Sequence, residues 1–199
     1  MSDAVRIGFI GAGGIARHHM KQLLEIPEAK VVAMAEPSEA SIAKMVETYP
    51  QLSDCRFFGD YREMLDSQQL DAVEIHTPHT LHFAQAMDCL AKGLNVLIEK
   101  PMVTNTEHAR ALLAAAEGKV VIVSYQRHFQ PTYRYVKQLI ESGALGSLQY
   151  IAALQSQGWY KGTRGTWRQD PALSGGGQLN DSGSHLIDIL LWTTGLEPA

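Results

Sequence analysis

Six short apolar runs alternate with longer amphipathic segments through the first part of the chain. The runs are rich in β-branched and aromatic residues, so they predict the strands Val5–Ile10, Val31–Ala35, Arg56–Phe58, Asp71–Ile75, Asn95–Ile98 and Val120–Val123. Predicted helices lie between them: from the first glycine turn to about Ile26, from the N-cap Ser38 to about Tyr49, from Tyr61 to Leu65, from His79 to Lys92 and from Thr106 to Glu117. This alternation indicates an α/β fold, with a doubly wound parallel sheet of the Rossmann type covered by helices on both faces.

A different pattern begins after Ser124. It predicts the helix Pro131–Ser142, the long strand Ser147–Gln157, an irregular stretch Gly158–Gln178 and the amphipathic helix Ser184–Thr194. The change divides the chain into the α/β domain over residues 1–124 and the first part of an α+β domain over residues 125–199. A single strand cannot bury its own face or satisfy its edges, so the second domain is expected to be unfinished in this chain.

The first predicted strand and helix carry a dinucleotide-binding motif. Gly11-Ala12-Gly13-Gly14-Ile15-Ala16 joins them, and Glu36 follows the second strand. Gly11 permits the tight turn, and Gly13 lets a pyrophosphate approach the backbone. The pyrophosphate would lie on the helix N-terminus, and Glu36 would bind the ribose hydroxyls. A glycine triplet alone is commonly just a turn, but strand, helix and acid together predict dinucleotide binding.

The same acid distinguishes between two cofactors. A 2′-phosphate beside Glu36 would be repelled, by several kcal/mol per charge pair at an effective dielectric of about 20. The segment Pro37–Ser41 has no Arg or Lys to receive such a phosphate. The sequence therefore predicts NAD, with NADP the less favoured cofactor.

Ligands of doubly wound sheets bind at the carboxyl ends of the strands, so segments far apart in sequence are expected to be neighbours there. These segments are Gly11–Ala16, Glu36, His76–Pro78 and Glu99–Pro101. We expect Thr77, Pro78, His82 and Glu99 to contribute to the cofactor site. His79 and His82 begin a helix, and helix-start histidines are also common without a ligand. His76 is interpreted as a bystander.

Lys100 directly follows the fifth predicted strand, between Glu99 and Pro101. At a carboxyl strand end, its ammonium group could donate a hydrogen bond to a substrate oxygen and take part in proton transfer. A solvated lysine paired with Glu99 is the alternative interpretation. The position at the ligand edge favours the catalytic role.

Asp181-Ser182-Gly183-Ser184-His185 is the second candidate for chemistry. Residues four apart at the start of a helix share one side of it, and an imidazole titrates near neutral pH. His185 could therefore act as general base, with Asp181 holding its tautomer or contacting the substrate. Alternatively, Asp181 or Ser184 only caps the helix. No metal is expected, because no second His or Cys lies nearby at ligand spacing.

Residues after the sixth strand and in the irregular stretch are candidates for substrate binding. Their aromatic faces and hydrogen-bonding groups suit a sugar or polyol, although aromatic residues in loops are as often packing residues. The candidates are Gln126, Arg127, Trp167 and Arg168, with Tyr125, Trp159 and Tyr160 beside them.

Composition narrows the class of protein. The 199 residues carry a formal net charge of −4 and no run of Lys or Arg, which argues against a nucleic-acid partner. No apolar run reaches membrane-spanning length, and the N-terminus reads as a first strand instead of a signal peptide. Cys55 and Cys89 lack close spacing and look like reduced thiols, which predicts a cytoplasmic protein.

With these residues identified, the chain resembles the glucose–fructose oxidoreductase and inositol dehydrogenase (Gfo/Idh/MocA) family along nearly its whole length. The matching segments are Gly11–Ala16, Thr77–His82, Glu99-Lys100-Pro101, Gly175-Gly176-Gly177 and Asp181–His185. The resemblance implies Lys100 and His185 as catalytic residues with Asp181 beside them, and a cis peptide bond before Pro101. It implies oxidation of a secondary hydroxyl of a sugar or cyclitol by NAD.

Two departures from the family pattern change the expectations. His79 replaces the asparagine that often follows Thr-Pro, which leaves one cofactor contact open. Similar proteins also run well beyond 300 residues, and a large open sheet forms their oligomer contacts. The chain is therefore expected to be a fragment, a truncated product or a chain completed by another copy, with a homo-oligomer expected at full length. It is open whether this 199-residue form turns over substrate.

Two other functions fit the same residues. One is an NAD-dependent glycosidase of the same fold, in which the cofactor is reduced and recycled. The other is a sensor or scaffold that binds NAD without turnover.

Overall fold

Parallel strands form the first part of the structure, a computed structural model that describes residues 4–198. The strands are β1 (Val5–Ile10), β2 (Ala29–Ala35), β3 (Arg56–Phe58), β4 (Ala72–Ile75), β5 (Asn95–Ile98) and β6 (Val121–Val123). They form one six-stranded parallel sheet in the order β3-β2-β1-β4-β5-β6. This is the doubly wound order, with its reversal between β1 and β4. The predicted Rossmann-type fold is confirmed.

Helices cover both faces of the sheet. They are α1 (Gly14–Leu23), α2 (Glu39–Thr48), α3 (Tyr61–Ser67), α4 (His82–Ala91) and α5 (Thr106–Ala115). Ser38 caps α2 as predicted, because its hydroxyl accepts a hydrogen bond from the Ser41 N–H. The predicted helix from His79 begins instead with one 3₁₀ turn, His79–Leu81, before α4.

Side chains that alternate along the strands build two separate cores. Phe9 points to the face where Met20 and Met45 pack, from α1 and α2. The next residue, Ile10, points to the opposite face, which α3, α4 and α5 cover. A strand with a period of two can serve both cores only when helices cover both faces. The sheet is therefore held by packing on both faces, and the candidate site lies at its carboxyl edge.

The chain divides between Val123 and Ser124 into two compact units. In the second unit the helices are α6 (Pro131–Glu141), α7 (Trp159–Gly162), α8 (Pro171–Ser174), α9 (Gln178–Asp181) and α10 (Gly183–Thr194). The stretch predicted as irregular thus contains short helical turns. The longest helix of the described chain, α10, has 12 residues, and no described helix is long and apolar enough to cross a membrane.

The predicted strand Ser147–Gln157 is wrong. Ser147 lies in a bend, and the residues after it up to Gln157 belong to no strand. Its side chains remain largely exposed; Tyr150 is 83% and Leu154 91% exposed. A strand exists only as part of a hydrogen-bonded ladder, and the described part of the second unit contains no strand with which this segment could pair. Its β-propensity alone could not make it a strand.

Candidate functional site

The glycine turn lies where β1 ends and α1 begins. Gly11 has φ +99°, and its N–H donates to the Ala35 carbonyl across the carboxyl edge of the sheet. A Cβ at Gly11 would lie 3.1 Å from the His76 carbonyl oxygen, so glycine is required there by conformation and by space. The turn predicted from the sequence is thus formed between the ends of β1, β2 and β4.

The N-terminus of α1 fits an anionic ligand. Its N-cap, Gly13, has no side chain that could cap the helix, and the first turn contains no acidic residue. A Cβ built on Gly13 meets no atom of residues 4–198 within 4 Å, so these residues leave the space in front of the turn open. Unpaired N–H groups and the helix dipole at such an end favour a phosphate. The residues present therefore fit the pyrophosphate of NAD, and Gly14 and Ile15 would present the N–H groups.

Glu36 follows β2 at the same edge. One carboxylate oxygen accepts from the Ala12 N–H and the other from the Ser38 N–H, each at 2.9 Å. The carboxylate therefore reaches the glycine turn, and each oxygen keeps a second lone pair for a ribose hydroxyl. Sequence reasoning missed a neighbour of this turn, Arg17, whose guanidinium donates to the Ala12 carbonyl at 3.2 Å. A basic residue in the first turn of the helix was the available signal.

The segments after β4 and β5 also lie at this edge. The His76 N–H donates to the Ile10 carbonyl, and the Glu99 N–H to the Ile75 carbonyl. Thr77 and Pro78 follow directly and are half-buried. The neighbours expected from the strand-end rule are therefore brought together within the first unit.

His82 takes a different place from the one predicted. Its side chain is fully buried, with one ring nitrogen 2.9 Å from the Pro101 carbonyl oxygen and the other 2.9 Å from that of Thr77. Burial lowers the pKa of His82, and the two carbonyls only partly offset this. Both nitrogens face carbonyl oxygens of the protein instead of a cofactor, and the one N–H of a neutral ring can donate to only one of the two. The sequence showed only a histidine near a helix start.

Lys100 is half-buried and lies two residues after the end of β5 at Ile98. Its backbone N–H donates to Glu99 Oε2 at 3.1 Å, and the Lys100–Pro101 peptide bond is cis, as the resemblance implied. Glu99 itself is only 5% exposed. Its carboxylate is turned into the protein, a position that the sequence could not indicate.

A buried ion cluster beneath this edge was missed by sequence reasoning. His19 Nδ1 lies 3.0 Å from Glu74 Oε2, and Nε2 lies 3.1 Å from Glu99 Oε1. Burial alone would lower the pKa of His19, but the hydrogen bonds and charges of the two carboxylates outweigh it and raise the pKa to about 9. Glu74, an acid within an apolar strand, was the available signal, because a buried charge requires a partner.

His76 completes the cluster and is no bystander. Its side chain is fully buried, and Nε2 lies 3.2 Å from Glu74 Oε2 without meeting hydrogen-bond geometry. Nδ1 has no hydrogen-bond partner among the described residues. Burial lowers the pKa of His76, and the Glu74 carboxylate only partly offsets this, so His76 is neutral. The ring packs between Phe9 and His19, with centroid distances of 4.8 and 4.6 Å.

The cluster predicts a loss of stability at alkaline pH. The folded pKa of His19, about 9, lies above its ordinary value of 6.5. Its contribution is therefore complete below pH 6.5 and is lost as pH rises through about 9. We expect the free energy of unfolding to fall by on the order of 2 kcal/mol between pH 7 and 9. Urea titrations at both pH values measure it.

Two variants distinguish the contribution of His19 to the pH dependence of the free energy of unfolding from that of other titrating groups. His19→Gln should flatten the pH dependence, whereas His18→Gln, a change at the exposed neighbouring histidine, should retain it. An unchanged slope in His19→Gln would show that another group is responsible.

In the second unit, the Asp181 carboxylate is bound by side chains of the irregular stretch. It is 5% exposed, and Oδ2 accepts from Trp159 Nε1 at 2.7 Å and from Arg168 Nε at 3.1 Å. The Arg168 guanidinium lies 4.4 Å from the centroid of the Trp167 ring. The candidates Asp181, Trp167 and Arg168 thus form one cluster with Trp159.

His185 lies in the first turns of α10 and is half-buried. Its ring meets Tyr125 edge to face, with centroids 5.7 Å apart. Ser184 Oγ donates to the Asp181 carbonyl at 2.8 Å. The N-cap of α10 is Ser182, without a side-chain hydrogen bond, so neither Asp181 nor Ser184 caps this helix. Arg127 contacts Gln155 Oε1 at 3.4 Å, and Gln126 begins the 3₁₀ turn Gln126–Phe129.

A doubly wound sheet with an open glycine cradle at its carboxyl edge defines a dinucleotide-binding protein. Residues 5–127 match the family described as "Oxidoreductase family, NAD-binding Rossmann fold", and residues 133–199 match the "GFO/IDH/MocA C-terminal domain". The chain belongs to the Gfo/Idh/MocA family. The resemblance stated from the sequence is thereby confirmed.

Individual proteins of known name or structure are similar to the chain over nearly all of its length. The chain is 30% identical over 204 residues to the rhizopine catabolism protein MocA of Rhizobium meliloti, covering 97% of this chain and 58% of that protein. It is 30% identical over 189 residues to glucose-6-phosphate 3-dehydrogenase of Bacillus subtilis (strain 168), covering 93% and 52%. The solved WlbA dehydrogenase of Bordetella pertussis, in complex with NADH and UDP-GlcNAcA, has a TM-score of 0.79 at 26% identity and covers 97% and 56%. The chain thus spans little more than half the length of these relatives.

Proposed function

We propose that the protein is an NAD-dependent oxidoreductase that oxidises a secondary hydroxyl of a sugar, cyclitol or related polyol. The observation that carries the proposal is the open glycine cradle with Glu36 at the same sheet edge as Lys100. Relatives named inositol 2-dehydrogenase and glucose-6-phosphate 3-dehydrogenase support the substrate class. The two buried, free thiols, Cys55 and Cys89, fit a cytoplasmic location.

The chemistry divides between cofactor and side chains. Bound NAD supplies the hydride acceptor. In the proposal, the Lys100 ammonium donates a hydrogen bond to the substrate oxygen and stabilises charge on it, while His185 accepts the hydroxyl proton as the C–O bond becomes a carbonyl. Gln126, Arg127, Trp167 and Arg168 are proposed to bind the substrate, and Asp181 to hold Arg168 and Trp159 in place.

A panel assay tests the proposal. The full-length gene product is incubated with NAD and individual polyols, cyclitols and aldoses, and NADH is followed by absorbance. NADH formed in a 1:1 ratio to oxidised product supports the proposal. Sugar release without net NADH would instead identify a glycosidase. Tight NAD binding without turnover of any substrate would identify a sensor or scaffold.

Within this proposal, the cofactor is NAD because of the Glu36 carboxylate. We expect the wild type to bind NADH more tightly than NADPH, and Glu36→Gln to narrow the ratio of the two dissociation constants by roughly tenfold, the equivalent of about 1.4 kcal/mol of relieved repulsion. Fluorescence titration with both reduced cofactors measures the ratio. Glu39→Gln, which changes an exposed acid in the first turn of α2, is the matched control and should leave it unchanged. Equal affinity of the wild type for both cofactors would contradict the NAD preference.

A further inference from the structure

The ion cluster at His19 has no part in the proposed chemistry, yet it joins the two halves of the proposed redox site. His19 belongs to α1, the helix whose N-terminus forms the cofactor cradle. Glu99 immediately precedes Lys100, and Glu74 belongs to β4. The cluster therefore connects the cradle helix to the segment that carries the candidate catalytic lysine.

The geometry fits a cation between two carboxylates. Each ring nitrogen of His19 lies within hydrogen-bond distance of a different carboxylate, at 3.0 and 3.1 Å. A neutral imidazole has one N–H and could donate to only one of them, whereas an imidazolium donates to both. All three side chains are at most 8% exposed, so water cannot easily compensate either charge. A protonated His19 donates to both carboxylates while both are ionised.

The link continues from Glu99 to the backbone of Lys100. Glu99 Oε1 faces His19, while Oε2 accepts the Lys100 N–H at 3.1 Å. The carboxylate is thus held from both sides. A loss of the His19 contact would remove one of the groups that hold the Glu99 carboxylate, and so loosen the carboxylate that accepts the Lys100 N–H.

We propose that His19 is a positioning residue for the redox site, holding the Glu99 carboxylate and through it the backbone of Lys100 at a fixed place relative to the cradle helix. This inference rests on the proposed function. A small displacement of a reacting group is enough to slow a reaction by roughly 10²-fold, so the link does not need to contact the substrate to affect turnover.

A metal ion is the competing explanation of the cluster. Ligand atoms of His19, Glu74 and His76 all lie within 4.8 Å of one another. However, both His19 nitrogens already face carboxylate oxygens at hydrogen-bond distance. A proton on His19 supplies the bridging charge without any ion. Elemental analysis of the purified protein belongs to the test for this reason.

The test compares His19→Gln with His18→Gln in the full-length protein. For His19→Gln we expect kcat to fall on the order of 10²-fold while the dissociation constant of NADH stays close to that of the wild type. His18→Gln should match the wild type in both quantities. In ¹⁵N-labelled wild type, the His19 ring signals should still report an imidazolium at pH 8, a readout that needs no turnover. That charge state is expected because the pKa of His19 is about 9.

A second pair of variants covers the case in which His19→Gln does not fold. Glu99→Gln and Glu74→Gln are isosteric, and each removes one of the two charges that face His19. Positioning through Glu99 predicts a loss of kcat for Glu99→Gln and a kcat near the wild type for Glu74→Gln. An equal loss of kcat in both variants, with a matching loss of thermal stability, would show that the cluster has only a structural role.

Other results overturn the inference in distinct ways. A neutral His19 at pH 8, one bound metal per chain, or wild-type kcat in His19→Gln would each refute it and leave the proposed function standing. A wild-type protein that neither binds NADH nor forms it with any substrate would refute the proposed function, and the positioning role with it.

Discussion

Lys100→Ala is expected to lower kcat by roughly 10²- to 10⁴-fold, the range over which a positioned acid–base group contributes to catalysis. The substitution removes the ammonium group at the carboxyl end of β5 and leaves the backbone N–H that donates to Glu99 in place. The dissociation constant of NAD should change little, because the cradle is built from the glycine turn and Glu36. Steady-state kinetics and cofactor titration together measure both effects.

Lys92→Ala is the matched control for that substitution. Lys92 is an exposed lysine at the end of α4 that forms an ion pair with Asp66, away from the carboxyl edge. Surface ion pairs of this kind contribute about 0–1 kcal/mol to stability. The control variant should therefore keep wild-type kcat and cofactor affinity. Wild-type turnover in Lys100→Ala would contradict the catalytic role of Lys100.

Gly11→Ala is expected to damage both the fold and the cradle. The φ of Gly11 is +99°, a conformation that costs a residue with a Cβ roughly 1–3 kcal/mol. The new Cβ would also lie 3.1 Å from the His76 carbonyl oxygen, which is fixed by the backbone. We expect the free energy of unfolding to fall by at least about 2 kcal/mol, and the affinity for NADH by about tenfold or more as the turn shifts.

Gly59→Ala provides the comparison for Gly11→Ala. Its φ is outside the positive range, and a Cβ built there meets nothing within 4 Å. The control should remain within about 0.5 kcal/mol of the wild type in chemical denaturation, as surface substitutions usually do. A Gly11→Ala protein with wild-type stability and NADH affinity would show that the turn does not need glycine.

The strands of the first unit could be predicted because their signal is local. An apolar run bounded by turn residues defines β5 at Asn95–Ile98, and β1 is likewise found at its predicted bounds. The segment Ser147–Gln157 has comparable composition but lies in no ladder. Strand propensity reports how well side chains suit a sheet, whereas a strand also requires a neighbour, which composition does not reveal.

The candidate site was predictable where one continuous motif defines it. Gly11 to Ala16 and Glu36 meet at the turn because the βαβ connection brings them together. The cluster at His19 was not predictable, since its partners Glu74 and Glu99 lie 55 and 80 residues away. Only the unusual acid in an apolar strand pointed to it.

The assignment of Asp181 shows a different limit. Spacing of four residues places two side chains on one side of a helix only if the helix is continuous. Here α9 ends at Asp181 and α10 begins at Gly183, so the assumption does not hold. The carboxylate accepts hydrogen bonds from Trp159 and Arg168, which belong to an irregular stretch whose path the sequence did not specify.

Transfer of a labelled hydrogen is the most direct measurement of the central claim. The full-length protein is given NAD and a polyol or sugar substrate that carries deuterium on the carbon of the reacting hydroxyl. The proposal predicts that the deuterium appears on the nicotinamide of the NADH formed, in a 1:1 ratio to the carbonyl product. NADH without deuterium, or release of the label to solvent with no NADH at all, would contradict hydride transfer at this site.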